Sequence, residues 1–436
     1  MSILLESRVS EKLDKCSGGF SLKALLWLSF LLLVFSLGFM QPFVYIAAQR
    51  ISSTDILFLL VTALWVVVLA LGKVKLRWHS GYWFLAFYFL AMLMSSVLSQ
   101  NPRSSFVKLI GEAYLIGLAV MTFNLVDRGK RMKQVLFAWL AGTLPTILVA
   151  FITVVLFYIQ PDSWLLEYTT SIFGAVPVMP FPRVTSTFIS ASMFCNYLNV
   201  GVVLLIIMRQ KEWIEKRTFW VAICLTVASS ISTIAVGLGS IFLAIGLSVW
   251  SFNERQTKRI KKIVLFGAVL IASLFIGVSV VALQYHTTAE YSVRLPFVGT
   301  TVYPSSRLMV WTESLKTFEA NFFFGNGLNQ PSCSVLFQNT DGNFSLLTDA
   351  HNTYLSVASQ NGIVGLLAIV ALCGFLLRTG LKQSSESDST ILTGLTIAFF
   401  TSFVYFGLTG SFEDTRHQWV LIGLLLSSSK LGRGPQ

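Results

Sequence analysis

Runs of roughly 20 mostly apolar residues recur along almost the whole of this 436-residue chain. A helix of that length crosses the hydrocarbon core of a bilayer and satisfies its own backbone hydrogen bonds, which lipid cannot do. Only 12% of the residues are charged, against about 25% in soluble domains. We therefore predict an all-α membrane protein that forms a single polytopic domain over residues 1–436.

The number of crossings depends on the apolar run at 218–250, which is too long for one helix across a bilayer. It contains a polar stretch, Ser229 to Thr233, where we predict a tight hairpin between two short helices. Clusters of Lys and Arg mark cytoplasmic loops, and only this hairpin keeps the cluster at 255–262 on the same side as the others. The result is about 12 transmembrane helices, with both termini cytoplasmic.

The net charge of +12 does not indicate nucleic-acid binding, because the basic residues lie in short clusters between apolar runs, as topology signals do. The five cysteines are too scattered for a disulfide framework, and no Cys or His motif with metal-ligand spacing is present. We expect neither a metal nor another cofactor.

Two segments on the predicted outer face are unusually long. The first, 160–187, is rich in proline and ends near a lone Arg183. The second, 285–356, lies between predicted helices 9 and 10, and a helix-like stretch from Ser306 to Phe318 predicts an ordered periplasmic loop subdomain.

Three residues on this face could carry chemistry, and each also has a structural interpretation. Arg183 could bind an anion through its guanidinium, or it could be an interfacial arginine. Arg307 could do the same, or could open a solvated helix on which Trp311 lies one turn later. His351 could act as a general base, or could be a hydrogen-bonded interfacial histidine.

Other polar residues have simpler interpretations. Lys108 and Glu112 are one turn apart in an apolar helix and could form an internal ion pair or a coupling site. Glu413, Asp414, Arg416 and His417 follow one another closely and could form a second polar site or a solvated turn between two helices, and we favour the turn.

Four short segments of the late external region carry a family resemblance, and they occur in this order: Arg307-x-x-x-Trp311, Phe324-Gly325-x-Gly327, Ala350-His351-Asn352-Thr353-Tyr354-Leu355 and Asn361-Gly362-x-x-Gly365-Leu366. Together they resemble the signature of the O-antigen ligase and polymerase superfamily. Two segments extend the resemblance upstream: residues 95–106, and the stretch from Arg183 through Thr187-Phe188 to Tyr197-Leu198.

The resemblance implies a GT-C-like, metal-independent glycosyltransferase in the bacterial inner membrane. It would take a glycan from undecaprenyl diphosphate on the periplasmic face. Arg183 and Arg307 would bind the donor diphosphate and His351 would activate the acceptor hydroxyl, with Trp311, Asp349 and Asn352 in support. The acceptor would be lipid A-core in a ligase or a growing glycan in a polymerase, and we favour the ligase.

Two other classes of protein remain open. A transporter or flippase would concentrate ionisable residues near the middle of the bilayer and use broken or repeated helices. A membrane scaffold would leave the arginine and histidine positions without a chemical role. For every class, membrane lipids are expected partners and nucleic acid is not.

Overall fold

The structure is a computed structural model that describes residues 21–46, 49–171, 182–233, 235–252, 266–267, 269–270, 293–294, 301–302, 307–338, 344–383, 389–410 and 415–431. Cys16, His286, Ser306, Glu413 and Asp414 lie outside this part of the chain, as does nearly all of the crossing predicted over 263–284.

The described residues form thirteen α-helices. They are α1 (Leu22–Phe35), α2 (Ser53–Ala70), α3 (Gly81–Leu98), α4 (Pro102–Leu125), α5 (Gly129–Ile159), α6 (Trp164–Thr169), α7 (Ala191–Gln210), α8 (Lys216–Ile231), α9 (Ala235–Phe252), α10 (Arg307–Ala320), α11 (Thr353–Gln383), α12 (Ser389–Thr409) and α13 (Arg416–Leu431). Seven of these are long and apolar enough to cross a membrane: α2, α3, α4, α5, α7, α11 and α12. The chain is therefore a multi-pass membrane protein, and the prediction of a helical architecture is confirmed.

The apolar run at 218–250 is divided into two helices, as the polar stretch within it predicts. Helix α8 ends at Ile231 and α9 begins at Ala235. The hydroxyl of Thr233 and that of Ser232 turn back to donate to carbonyls of α8, at 2.6 Å in both cases. These bonds satisfy carbonyls that the end of a helix otherwise leaves without partners.

Helices α7, α12 and α13 form the centre of the bundle. In α7, 83% of the most apolar window is buried, and in α12 78%, while the side chains of α13 from His417 to Ser429 are all buried. The outer helices bury one face and expose large apolar side chains on the other, such as Leu59, Trp83 and Ile110. An exposed apolar surface of this extent suits contact with lipid, not with water.

Four antiparallel two-stranded ribbons lie in the connections between helices. They pair β1 (Phe43–Ile46) with β2 (Gln49–Ser52), β3 (Thr170–Ser171) with β4 (Arg183–Val184), β5 (Val293–Arg294) with β6 (Thr301–Val302), and β7 (Val335–Gln338) with β8 (Phe344–Leu347). The last two ribbons and α10 fall within the 285–356 segment, and α10 closely matches the helix predicted there.

Helix α11 is interrupted near its N-terminal end, which we did not predict from the apolar run over 357–377. Gly362 has a φ of 65° and a ψ of −167°, so the helical hydrogen bonds cannot continue through it. The glycine is required there, because a side chain would meet the backbone of Phe323 and Phe324. We call residues 359–364 the helix break.

Candidate functional site

His351 lies immediately before α11 and forms a close pair with Asp349. The Nδ1 atom of His351 is 3.2 Å from Oδ2 of Asp349, and the backbone N–H of His351 donates to Oδ1 of the same carboxylate at 3.0 Å. Both side chains are about half exposed, at 56% and 49%. In the neutral imidazole, Nδ1 then carries the proton and Nε2 is left as the acceptor that a general base requires.

Asp349 is held in its charged form. Partial burial raises the pKa of this carboxyl, but the hydrogen bonds and charge of His351 outweigh that effect, and the pKa is lowered overall. The carboxylate therefore remains ionised at neutral pH and orients the imidazole beside it.

The backbone at His351 is fixed in an uncommon conformation. Its φ is +48°, in the left-handed region that non-glycine residues seldom adopt. Asn352 follows and caps α11, because its Oδ1 accepts the backbone N–H groups of Tyr354 and Leu355 at 3.0 and 3.2 Å. The asparagine thus has a structural role at this site, which supports the position of His351.

Trp311 also holds this segment in place from a second helix. Its indole N–H donates to the carbonyl oxygen of Ala350 at 3.0 Å, and Ala350 is fully buried. Arg307 is the first residue of the same helix, α10, so it lies one turn from Trp311 on the same face. The side chain of Arg307 lies outside the described residues, and its approach to His351 stays a prediction.

A loop after α10, residues 321–331, closes the helix break through its backbone. It supplies partners for the polar groups that the break would otherwise leave without hydrogen bonds. The N–H groups of Asn326 and Gly327 donate to the carbonyls of Ser359 and Gln360 at 2.9 and 3.1 Å, and those of Ile363 and Val364 donate to Phe322 and Phe323 at 2.8 and 3.3 Å. Helix α10 and the start of α11 are thereby joined into one frame.

The same loop is bonded to the junction of α3 and α4. The hydroxyl of Ser105 donates to the carbonyl of Leu328 at 2.7 Å and that of Ser99 to Asn326 at 3.3 Å. The Asn329 amide donates to the Ser104 hydroxyl at 2.8 Å. The resemblance drawn for residues 95–106 therefore falls on a segment that contacts the 321–331 loop.

Lys108 extends this junction toward the histidine pair. Its Nζ lies 3.5 Å from Oε1 of Glu112, whose side chain is buried, which confirms the internal ion pair. Its positive charge also acts on the Asp349 carboxylate. This second interaction, between Lys108 and Asp349, could not be predicted from the sequence, because the two residues are far apart in the chain.

Arg183 lies in β4, on a ribbon that is firmly attached to the bundle. It pairs with Ser171 of β3, and the N–H of the next residue, Val184, donates to the carbonyl of Ser232 at 2.8 Å. The charge of Arg183 acts on the hydroxyl of Tyr405 in α12. Its proximity to the His351 pair stays a prediction.

The Arg416 and His417 cluster does not form the solvated turn that we expected. Arg416 makes two hydrogen bonds to the carboxylate of Asp55, at 2.8 and 2.6 Å. His417 is buried, with Nε2 at 3.0 Å from the amide oxygen of Asn196. The expectation was wrong because these residues begin a central helix, where distant polar partners enclose them.

Possible metal ligands do not cluster in the part of the chain that the structure describes. No group of three His, Cys, Asp or Glu side chains is close enough there to hold an ion. That the chain works without a metal stays a prediction.

The comparisons with known proteins bear on the region between α7 and the first part of α11. A family model described as O-antigen ligase matches residues 190–370. The matched segment includes Arg307, Trp311, Asp349, His351 and Asn352, and begins after Arg183. No curated protein matches the chain.

Proposed function

We propose, on the premise that residues 190–370 form an O-antigen ligase family domain, that this chain is a membrane glycosyltransferase of the O-antigen ligase or polymerase type. It moves a glycan from an undecaprenyl-diphosphate donor to an acceptor hydroxyl on the periplasmic face. The acceptor that we favour is lipid A-core, which makes the reaction O-antigen ligation.

The observation that carries this proposal is the pairing of His351 with Asp349. The imidazole donates through Nδ1 to the carboxylate, so Nε2 accepts the proton of the acceptor hydroxyl. The acceptor oxygen forms a bond to the anomeric carbon of the donor sugar. The bond from that carbon to the diphosphate breaks, and undecaprenyl diphosphate leaves with the electron pair.

Negative charge develops on the diphosphate as it leaves, and fixed positive charge stabilises it. Arg183 and Arg307 supply guanidinium groups suited to bidentate contact with phosphate oxygens. Trp311 supports the assignment of Arg307, since it links α10 to the backbone at Ala350. In this reaction no metal ion is needed to stabilise the leaving group.

The proposed frame is a GT-C-like bundle of twelve crossings with both termini cytoplasmic. The distribution of Lys and Arg supports this orientation. The division of the 218–250 run at Ile231 supports the count, because charge parity requires two crossings within that run. The 285–356 segment is then the periplasmic subdomain.

Two other functions remain candidates. A polymerase would use the same donor and the same histidine, with the growing glycan as acceptor. A transporter or flippase would use ionisable residues within the bilayer, and the Lys108–Glu112 pair is the feature that favours it.

Deletion of the gene, followed by gel analysis of surface lipopolysaccharide, separates these functions. Loss of all polymer from lipid A-core would indicate the ligase. A single added repeat unit would indicate the polymerase. An unchanged polymer ladder would contradict both enzyme functions.

Alanine substitutions then test the assigned residues. We expect His351→Ala, Arg307→Ala and Arg183→Ala each to lower transfer by at least about 100-fold, because each removes a group that acts in the transition state. Transfer is measured in membranes that contain equal amounts of each protein. Arg217→Ala, an exposed arginine at the start of α8, is the control that should keep full activity.

A further inference from the structure

A cavity of about 290 Å³ opens at the opposite end of the bundle from His351. It lies where α3 begins and where α11 and α13 end, and Arg378, Lys382 and Lys430 are among the residues that line it. The continuous part of α11 beyond the helix break, from Ile363 to Arg378, alone spans roughly 22 Å at about 1.5 Å per residue. The cavity therefore cannot belong to the site around His351.

The cavity has a positively charged rim. Arg378, Lys382 and Lys430 are exposed at its mouth, and the lining that the structure describes contains no Asp or Glu. The ammonium of Lys430 donates to the carbonyl of Trp78 at 2.6 Å, which fixes one cation at the rim. Three positive charges around one opening attract a phosphate group.

The inner wall is ordered and uncharged. Nδ1 of His79 accepts the N–H of Gly81 at 2.9 Å, so the neutral ring carries its proton on Nε2, which lies 3.2 Å from the hydroxyl of Ser429. Phe375 packs against His79 and stacks on Phe84 at 4.6 Å. The opening is thus charged at the rim and uncharged within.

The surroundings are typical of a membrane interface. Trp78 and Trp83 are 58% and 68% exposed, with ring centroids 5.7 Å apart. Leu381, beside Lys382, is 70% exposed. Tryptophan collects at the level of lipid headgroups, and exposed leucine suits acyl chains. Free phosphate would make use of neither feature, whereas a phospholipid would make use of both.

We propose that this cavity binds the phosphate of an anionic phospholipid from the leaflet that we predict to be cytoplasmic, through Arg378, Lys382 and Lys430. The headgroup enters the cationic rim and its acyl chains lie along the exposed apolar surface. Basic pockets between transmembrane helices on the cytoplasmic side are suited to headgroups of this kind.

The test measures binding of phosphatidylglycerol to the purified full-length protein by native mass spectrometry, with phosphatidylcholine as the neutral lipid. We expect saturable binding of phosphatidylglycerol only. The triple variant Arg378→Gln, Lys382→Gln, Lys430→Gln should bind it about 100-fold more weakly, since each charge near the surface contributes about fivefold.

The matched control removes the same charge from exposed residues at the starts of α5 and α8, in Lys130→Gln, Lys216→Gln, Arg217→Gln. It should bind as the unaltered protein does. Equal weakening in both triple variants would overturn the proposal in favour of a diffuse surface charge. If millimolar inorganic phosphate displaces the lipid, the cavity is a site for free phosphate, and the proposal of a phospholipid ligand is wrong.

Single substitutions at Arg378 test the same site without requiring that the triple variant folds. Arg378→Lys keeps the charge and should retain binding within a few-fold, whereas Arg378→Gln should lose about fivefold. Equal affinity of these two variants would also contradict the assignment.

Discussion

Asp349 has the most specific task of the residues around His351, because it fixes which imidazole nitrogen carries the proton. We expect Asp349→Asn to lower transfer by about 10- to 100-fold, which is part of the 10²–10⁴ that a general base typically supplies. The amide still accepts a hydrogen bond but does not stabilise an imidazolium. The measurement is the transfer rate at neutral pH, and a variant within twofold of the unaltered protein would contradict the role.

The pH dependence of the same carboxylate follows from the direction of its pKa shift. Because the pKa is lowered, the pairing with His351 is complete above the ordinary Asp value of about 3.9 and is lost only as the pH falls through the lowered value. A pH–rate profile should therefore show no inflection from Asp349 above about pH 4. An inflection near pH 4–5 that disappears in Asp349→Asn would refute this.

Trp311 acts through the backbone, so its loss should differ in kind from the loss of His351. We expect Trp311→Phe to lower kcat about fivefold with little change in the donor KM, because the buried carbonyl of Ala350 loses its partner and His351 is less firmly positioned. Trp164→Phe, at a residue that is 73% exposed, serves as the control. A change confined to KM would assign Trp311 to donor binding instead.

At the scale of elements, the contact between the 321–331 loop and the helix break holds α10 against α11. Gly325 has a φ of +71°, and a Cβ there would collide with the backbone of Gln360. We expect Gly325→Ala to destabilise the protein by about 2–4 kcal/mol and to abolish transfer. The thermal midpoint of the detergent-solubilised protein measures the effect.

The control for that substitution is Gly374→Ala in α11, the helix that the loop contacts. A Cβ at Gly374 would meet nothing within 4 Å, and alanine favours a helix by up to about 1 kcal/mol over glycine. This variant should keep or slightly raise the thermal midpoint. If both variants behave alike, the close approach at the break is not what stabilises this region.

The elements also show how far the sequence could predict the structure. The helices were predictable because a bilayer forces long apolar runs, and the division at 229–233 was marked by polar residues. The helix break was not predicted. Polar residues and Gly362 do interrupt the apolar run over 357–377, but the groups that pair with the break are backbone atoms of a distant loop. Backbone contacts of this kind leave no side-chain pattern to read.

At the scale of the whole molecule, the pair of Arg416 and Asp55 joins helices from the two ends of the chain. The guanidinium also donates to the Tyr114 hydroxyl at 3.2 Å, so α2, α4 and α13 meet at one point. The sequence interpretation failed here because such a contact depends on residues that are hundreds of positions apart. For the same reason, the electrostatic interaction between Lys108 and Asp349 could not be predicted from the sequence.

We expect Arg416→Gln to destabilise the protein by up to about 3 kcal/mol, because it leaves the partly buried carboxylate of Asp55 without its cation. The double variant Asp55→Asn, Arg416→Gln should lose less than the sum of the two single variants. The thermal midpoints of the unaltered protein, the two single variants and the double variant are compared in a double-mutant cycle. Additive losses would mean that the two residues act independently.

The way in which the 321–331 loop is attached has a consequence for how proteins of this architecture can diversify. Its hydrogen bonds to the helix break involve only backbone atoms, so the bonds themselves constrain few of its side chains besides the glycines. Mutations at Phe322 or Phe323, whose side chains are 45% and 67% exposed, could therefore reshape the surface of the loop without detaching it. New acceptor preferences could then arise in single steps, while the base and its carboxylate stay where they are.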